Sequence, residues 1–249
     1  MFEKFNALVN EPMSAHTTLK LGGPADYMVF PHDEEEIAAL FAEACANNVP
    51  VTVIGHGSNL LVRDGGIRGL VICIGKNMRQ ITREGNIIRA QAGAMLGTVA
   101  MEAAEAGLRG LEFASGIPGT VGGGVTMNAG AYCGEIVQVV KEVHGIYPDG
   151  RKICLSREEM DFGYRHSVVM EKGFIVTEAV FELEPGFGAD LGFVNILSSI
   201  VIGLSGINKS DRSNFKIGCA IYKVNAKGIL FTFESKILSC GSVGVLNKV

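Results

Sequence analysis

Apolar positions recur at helical spacing in two stretches of the chain. Ile37, Leu40, Phe41, Ala44 and Cys45 fall on one face of a segment that opens with Asp33 and Glu36, an N-cap residue and its N3 partner, and stops at Asn47, Asn48 and Pro50. The spacing predicts a helix with one buried face. Leu96, Val99, Ala100 and Ala103 predict a second helix, ended by Gly107, which suits the left-handed conformation that follows a helix. Short runs rich in β-branched residues at 51–54, 71–74 and 87–92 predict strands. Residues 136–147 and 151–155 flank Pro148-Asp149-Gly150, where proline presets its φ and glycine can take a positive one, so a hairpin is expected. Phe174, Val176, Ala179, Phe181 and Leu183 mark another extended segment, broken at Glu184-Pro185-Gly186. Helices interspersed with short strands, two of them in a hairpin, predict an α+β fold with mixed sheets and not a regular βαβ barrel.

Length and charge narrow the function. A chain of 249 residues with 47% hydrophobic and 19% charged residues is large enough to bury a core and has the composition of a globular protein. Its net charge of −4 offers no electrostatic footprint for a phosphate backbone, so nucleic-acid binding is not expected. Residues 1–10 carry Glu3, Lys4 and Asn6 and no apolar core region, so no secretory signal is read and a cytoplasmic location is expected. The cysteines at 45, 73, 133, 154, 219 and 240 form no Cys-x-x-Cys pair and have no histidine at ligand spacing. They read as reduced core thiols, with no metal site and no disulfide framework.

Glycine is the unusual count, 33 of 249, at about twice the usual share of roughly 7% and without a collagen period. Gly55-His56-Gly57-Ser58-Asn59 closes a predicted strand. Successive glycines there let amide N–H groups converge on an anion, with Ser58 and Asn59 as further donors, although a plain turn fits the same residues. His56 reads as an exposed bystander. A second cluster, Ser115-Gly116-Ile117-Pro118-Gly119-Thr120-Val121-Gly122-Gly123-Gly124, continues through Asn128-Ala129-Gly130-Ala131-Tyr132. So many positions without side chains describe a backbone pressed against something flat or charged; a flexible linker would lack the interleaved Ile, Pro, Val, Met and Asn. Neither cluster has the spacing of a dinucleotide fingerprint or a triphosphate loop. A third feature, Asp161-Phe162-Gly163-Tyr164-Arg165-His166-Ser167, contains an arginine suited either to clamping a carboxylate or to a surface ion pair.

Together these motifs resemble the UDP-N-acetylenolpyruvoylglucosamine reductases, flavoenzymes of bacterial peptidoglycan synthesis. The resemblance covers roughly residues 10–186, through Asn10-Glu11-Pro12-Met13-Ser14-Ala15-His16-Thr17-Thr18-Leu19-Lys20-Leu21-Gly22-Gly23, the Gly-His-Gly-Ser-Asn loop, the Ser-Gly-Ile-Pro-Gly-Thr-Val-Gly-Gly stretch and Tyr-Arg-His-Ser. It implies an FAD-binding fold of the vanillyl-alcohol-oxidase (PCMH) type over residues 1–186, in two α+β subdomains of about 1–75 and 76–186. It implies that Gly55, Gly57, Ser58 and Asn59 take the FAD pyrophosphate, and that Gly116, Pro118, Gly119, Gly122, Gly123, Asn128, Gly130 and Ala131 line the flavin. Arg165 matches the family's catalytic arginine, and Tyr164 beside it is expected to contact substrate or flavin. The implied reaction takes a hydride from NADPH onto the flavin and passes it to the enolpyruvyl double bond of a nucleotide sugar, yielding UDP-N-acetylmuramate. No metal and no membrane partner are implied.

The resemblance stops near Gly186. Residues 1–186 hold 15 Lys and Arg against 23 Asp and Glu; the remaining 63 hold 7 against 3, and serine rises from 5 to 8. The family's Gly-Ser-Thr-Phe-Lys-Arg-Pro-like motif and its C-terminal glutamate are not recognisable in 187–249. An atypical tail, replaced or frameshifted, is therefore expected in place of the substrate-binding domain, and Cys133 stands where the family usually has glycine. The uncharged run 191–208 reads as a buried segment in preference to a membrane span, because it includes Asn195, Ser198, Ser199 and Ser205. Three readings follow: a working reductase, an FAD-binding chain without reductase activity, and a cofactor-free interaction or membrane-tethered module.

Overall fold

The computed structural model describes residues 1–132 and 134–186 and, beyond them, only the backbone of four short strands: Gly218–Ala220 pairs with Ser235–Ile237, and Val224–Asn225 with Gly228–Ile229. Met1–Gly192 and Phe193–Val249 form separate units. The run 191–208, Cys133, Cys240 and the side chain of Cys219 lie outside the described residues.

Two sheets organise the first unit. One consists of β1 (Leu8–Pro12), β2 (Pro24–Val29), β3 (Val51–Ile54) and β4 (Ile67–Cys73) in the order β1-β2-β4-β3. It is mixed: β1 runs antiparallel to β2, whereas β2 and β3 both run parallel to β4. The other holds β5 (Ile81–Glu84), β6 (Ile87–Gln91), β7 (Val140–Ile146), β8 (Lys152–Ser156) and β9 (Ile175–Glu182) in the order β8-β7-β9-β6-β5, antiparallel throughout. The α+β organisation with a mixed sheet is as the apolar pattern predicted.

Helix α1 (Glu34–Ala46) crosses from β2 to β3 and buries Ile37, Leu40 and Ala44, while Cys45 is exposed. Its start follows the predicted cap, with the Asp33 carboxylate accepting from the Glu36 N–H at 2.8 Å. Asp33→Ala should cost about 1 kcal/mol of stability, read as a lower urea midpoint; an unchanged midpoint would show that the cap contributes nothing. Helix α2 (Leu96–Glu105) buries Leu96, Val99, Ala100 and Ala103, and Gly107 follows it at φ +68°.

A single core joins the sheets, running from Phe2, Ile37, Leu70 and Ile72 through Ile88 and Leu96 to Phe181. A smaller cluster of Met13, Met28, Val62 and Val71 covers the opposite face of the first sheet. From Leu70 onward strand β4 is thus buried on both faces, which explains the unbroken apolar run 70–74. Lys152 on β8 reaches Glu34 at 2.6 Å and Glu35 at 3.1 Å, tying the hairpin to the start of α1.

Several elements lack the expected signal for local reasons. β1 and β5 are exposed along most of their length and so carry no alternation. Residues 136–138 form a 3₁₀ turn before β7 begins, and β4 starts at Ile67, ahead of the predicted run. The second glycine cluster contains a helix, α3 (Val121–Thr126), despite its three glycines. Packing against β9 and β6 and the Thr120 cap override the poor helix propensity of Val-Gly-Gly-Gly.

Candidate functional site

Strand β3 delivers the first glycine cluster to the edge of a cleft. A Cβ on Gly55 would stand 2.4 Å from the Thr120 Oγ1, and one on Gly57, at φ +65°, would stand 2.1 Å from the His16 carbonyl. Both glycines are therefore required by chain packing on chain. The Gly57 carbonyl accepts from the Thr18 N–H at 3.2 Å, which fixes the loop. Among the described residues, the main-chain N–H groups of His56, Gly57, Ser58 and Asn59 donate no hydrogen bond, and the side chains of Ser58 and Asn59 have no partner. The loop thus presents consecutive unspent donors.

The second cluster is anchored by main-chain bonds. Gly119 O accepts from Leu96 N at 2.9 Å, Ala94 O from Val121 N at 2.8 Å and Ala92 O from Gly122 N at 2.9 Å. A Cβ on Gly122 would meet Ala92 at 2.9 Å and one on Gly124 would meet Leu96 at 2.8 Å, so these glycines let α3 lie close against the chain at Ala92 and Leu96. Gly119 and Gly123 differ. The nearest atoms to their missing side chains are Ser58 Oγ and Thr120 Oγ1, both 3.6 Å away, and open space lies beyond.

That open space is a cleft of about 490 Å³ lined by residues 55–60 on one side and by Ile117, Pro118, Gly119, Gly123, Gly130 and Arg165 on the other. A second wing of about 730 Å³ shares Gly55, His56 and Thr120 and is lined by Lys20, Lys76, Arg79 and His16. Among its described lining residues no carboxylate appears, although His16 bonds outward to Glu11 at 2.8 Å and the Lys76 ammonium sits 4.6 Å from the centre of the Phe30 ring. Each wing falls in the usual size range of a cofactor pocket. Cys73 also lines the second wing; burial pushes its thiol up to about 11 against the opposing pull of Lys76, so it stays protonated at neutral pH.

Arg165 sits at the tip of a tight turn in which Gly163 and His166 exchange main-chain hydrogen bonds. Its φ of +55° is unusual for a residue other than glycine and is held by its surroundings. Its guanidinium donates to the Gly130 carbonyl at 3.3 Å and lies 5.6 Å from the Tyr164 ring. Among the described residues it forms no ion pair, so the surface salt bridge that a lone loop arginine invites is not made. Asn128, 2% exposed, pins this turn: its amide donates to Glu135 at 2.9 Å and to the Gly163 carbonyl at 3.0 Å, and its oxygen accepts from Val137 N at 3.1 Å. Ser167 adds a bond to the Thr126 carbonyl at 2.8 Å.

Of the residues singled out from the sequence, Gly55, Gly57, Ser58, Asn59, Pro118, Gly119, Gly123, Gly130 and Arg165 line one cleft. Gly122 faces Ala92, Asn128 is spent on internal bonds, Ala131 borders a separate small depression with Tyr132 and Glu135, Gly116 is exposed, and Tyr164 is 86% exposed. Sequence reasoning quoted Thr120 and Lys20 inside motifs without assigning either to the site, although Gly55 packs against Thr120 and Lys20 lines the second wing, and it missed the cations Lys76 and Arg79, which lie in no motif. The reading of the cysteines as core thiols holds for Cys73 but not for Cys45 and Cys154, which are exposed: Cys45 lies at the solvent edge of the α1 stripe, and Cys154 is on the sheet-edge strand β8.

The FAD binding domain family profile matches residues 25–156. UDP-N-acetylenolpyruvoylglucosamine reductase of Agathobacter rectalis is 54% identical over 190 residues, 72% of this chain and 60% of the relative; that of Levilactobacillus brevis is 48% identical over 188 residues, 76% of this chain and 62% of the relative. The chain thus spans about 60% of the length of these relatives. The crystal structure of UDP-N-acetylenolpyruvylglucosamine reductase from Thermus caldophilus superposes with a TM-score of 0.66 at 33% identity, covering 85% of this chain and 73% of that one. The fold is accordingly the α+β FAD-binding fold of the vanillyl-alcohol-oxidase type. The chain belongs to the FAD binding domain family and, within it, to the UDP-N-acetylenolpyruvoylglucosamine reductases.

Proposed function

We propose that this chain holds FAD in the two-winged cleft and reduces the enolpyruvyl ether of UDP-N-acetylglucosamine with NADPH, a step of peptidoglycan-precursor synthesis. The observation that carries the reading is the meeting of two glycine clusters, some sixty residues apart in sequence, on one cleft with Arg165 at its wall. The donor set suits the cofactor. The free amides of residues 56–59 and the side chains of Ser58 and Asn59 offer hydrogen bonds to a diphosphate, and Lys20, Lys76 and Arg79 offer it counter-charge. Ile117, Leu96 and Met127, with the bare faces of Gly119 and Gly123, offer a flat ring an apolar bed.

Bound FAD supplies the two-electron chemistry that links NADPH to the enolpyruvyl double bond. The protein's own contribution is orientation and electrostatics. Negative charge grows beside the substrate carboxylate as the double bond is reduced, and Arg165 is a permanent cation without an ion-pair partner among the described residues. Asn128 and Ser167 hold the turn that carries it. Residues 1–186 form the FAD-holding domain on this reading, with 187–249 as an atypical tail.

An FAD-holding chain without reductase activity is the second reading, favoured by residues 187–249, in which the family's Gly-Ser-Thr-Phe-Lys-Arg-Pro-like motif is not recognisable. One experiment separates the two: the absorption spectrum of the purified full chain reconstituted with FAD, followed by NADPH and then the enolpyruvyl sugar. Bleaching by NADPH and recovery on addition of the sugar are expected. A yellow protein that never turns over establishes the second reading, and absence of flavin after reconstitution overturns both. No helix among the described residues is long and apolar enough to cross a membrane.

A further inference from the structure

The hairpin β7–β8 brings together three side chains that play no part in the cleft. Glu142 and His144 are two apart on β7 and so project from the same side of the strand, and Cys154 on β8 is the cross-strand partner of His144. His144 Nε2 lies 3.2 Å from Glu142 Oε1 and 3.9 Å from Cys154 Sγ, and the three ligand atoms all lie within 4.8 Å of one another. A tetrahedral Zn2+ with ordinary bond lengths separates nitrogen from oxygen by about 3.3 Å and sulfur from nitrogen by about 3.5 Å. His144 Nε2 thus stands within a few tenths of an ångström of those separations from both Glu142 and Cys154, and Glu142 and Cys154 lie within 4.8 Å of each other.

We propose that Glu142, His144 and Cys154 form a binding site for one borderline-soft divalent cation, Zn2+, with a fourth position left to water. The local charge is consistent with this. The Glu142 and Glu159 carboxylates place negative charge near Cys154, and a dication neutralises it. Arg89 stands 3.4 Å from the same Glu142 oxygen and 3.4 Å from Glu178, so it keeps Glu178 as a partner when Glu142 turns to the metal. The ion staples β7 to β8 at the hairpin that Lys152 ties to α1.

The test is titration of the full chain with Co2+, a spectroscopic stand-in for Zn2+. One equivalent should produce tetrahedral cobalt bands at the red end of the spectrum, beyond flavin absorption, and a thiolate-to-cobalt band in the near ultraviolet; Zn2+ should displace both and raise the melting temperature. Cys154→Ser should abolish the thiolate band and weaken binding at least tenfold, His144→Ala should weaken it at least tenfold, and Cys45→Ser should change neither. Bands that survive Cys154→Ser, bands lost instead on Asp161→Asn at the second candidate cluster of Asp161, His166 and Glu171, or no bands at all would each overturn the proposal.

Discussion

Arg165→Ala should lower turnover of the enolpyruvyl sugar by about 100- to 1000-fold, the range seen when a single preorganised group facing developing negative charge is removed. The loss should fall on kcat, with FAD affinity little changed, because the Arg165 guanidinium bonds only the Gly130 carbonyl among the described residues and the loop donors at 56–59 are untouched. Arg165→Lys should recover part of the rate, since the ammonium keeps the charge but loses the planar fork. Unchanged turnover in the alanine variant would remove Arg165 from the reaction. Its left-handed φ makes the lysine control informative, because lysine meets the same backbone strain as arginine.

Gly119→Leu is expected to weaken FAD binding by at least about 100-fold, or roughly 2.7 kcal/mol, without lowering the stability of the apoprotein. Gly119 does not have positive φ, and nothing of the protein lies closer than 3.6 Å to its missing side chain, so leucine has room until the cleft is filled. Gly57→Ala is the instructive contrast. There a Cβ stands 2.1 Å from the His16 carbonyl at a φ of +65°, so the apoprotein itself should lose stability. The measurement is FAD titration beside thermal melting of the apo form. Equal FAD affinity in Gly119→Leu and the parent would place the cofactor elsewhere.

That contrast separates two kinds of glycine that look alike in the sequence. Gly55, Gly57, Gly122 and Gly124 are bare because Thr120, His16, Ala92 and Leu96 occupy the space, whereas Gly119 and Gly123 are bare toward the cleft. The expectation of a backbone pressed against a flat or charged partner does not distinguish them, since the distinction depends on atoms tens of residues away.

Local chemistry was readable wherever a short window holds both cause and effect. Asp33 and Glu36 announce the start of α1, Gly107 ends the α2 region, and Pro148-Asp149-Gly150 forms a hairpin turn with Gly150 at φ +85°. The ordered motifs were likewise enough to indicate the family. Other features depend on contacts that no window contains. α3 forms where propensity opposes it because β9 and β6 supply the packing, and the parallel pairing of β3 with β4 and the main-chain anchoring of residues 119–122 bring residues 55–59 and 117–123 to one cleft. Along the chain no histidine stands at ligand spacing from a cysteine. The register of β7 on β8 sets His144 opposite Cys154, because in a sheet proximity is decided by pairing across strands and not by position along the chain.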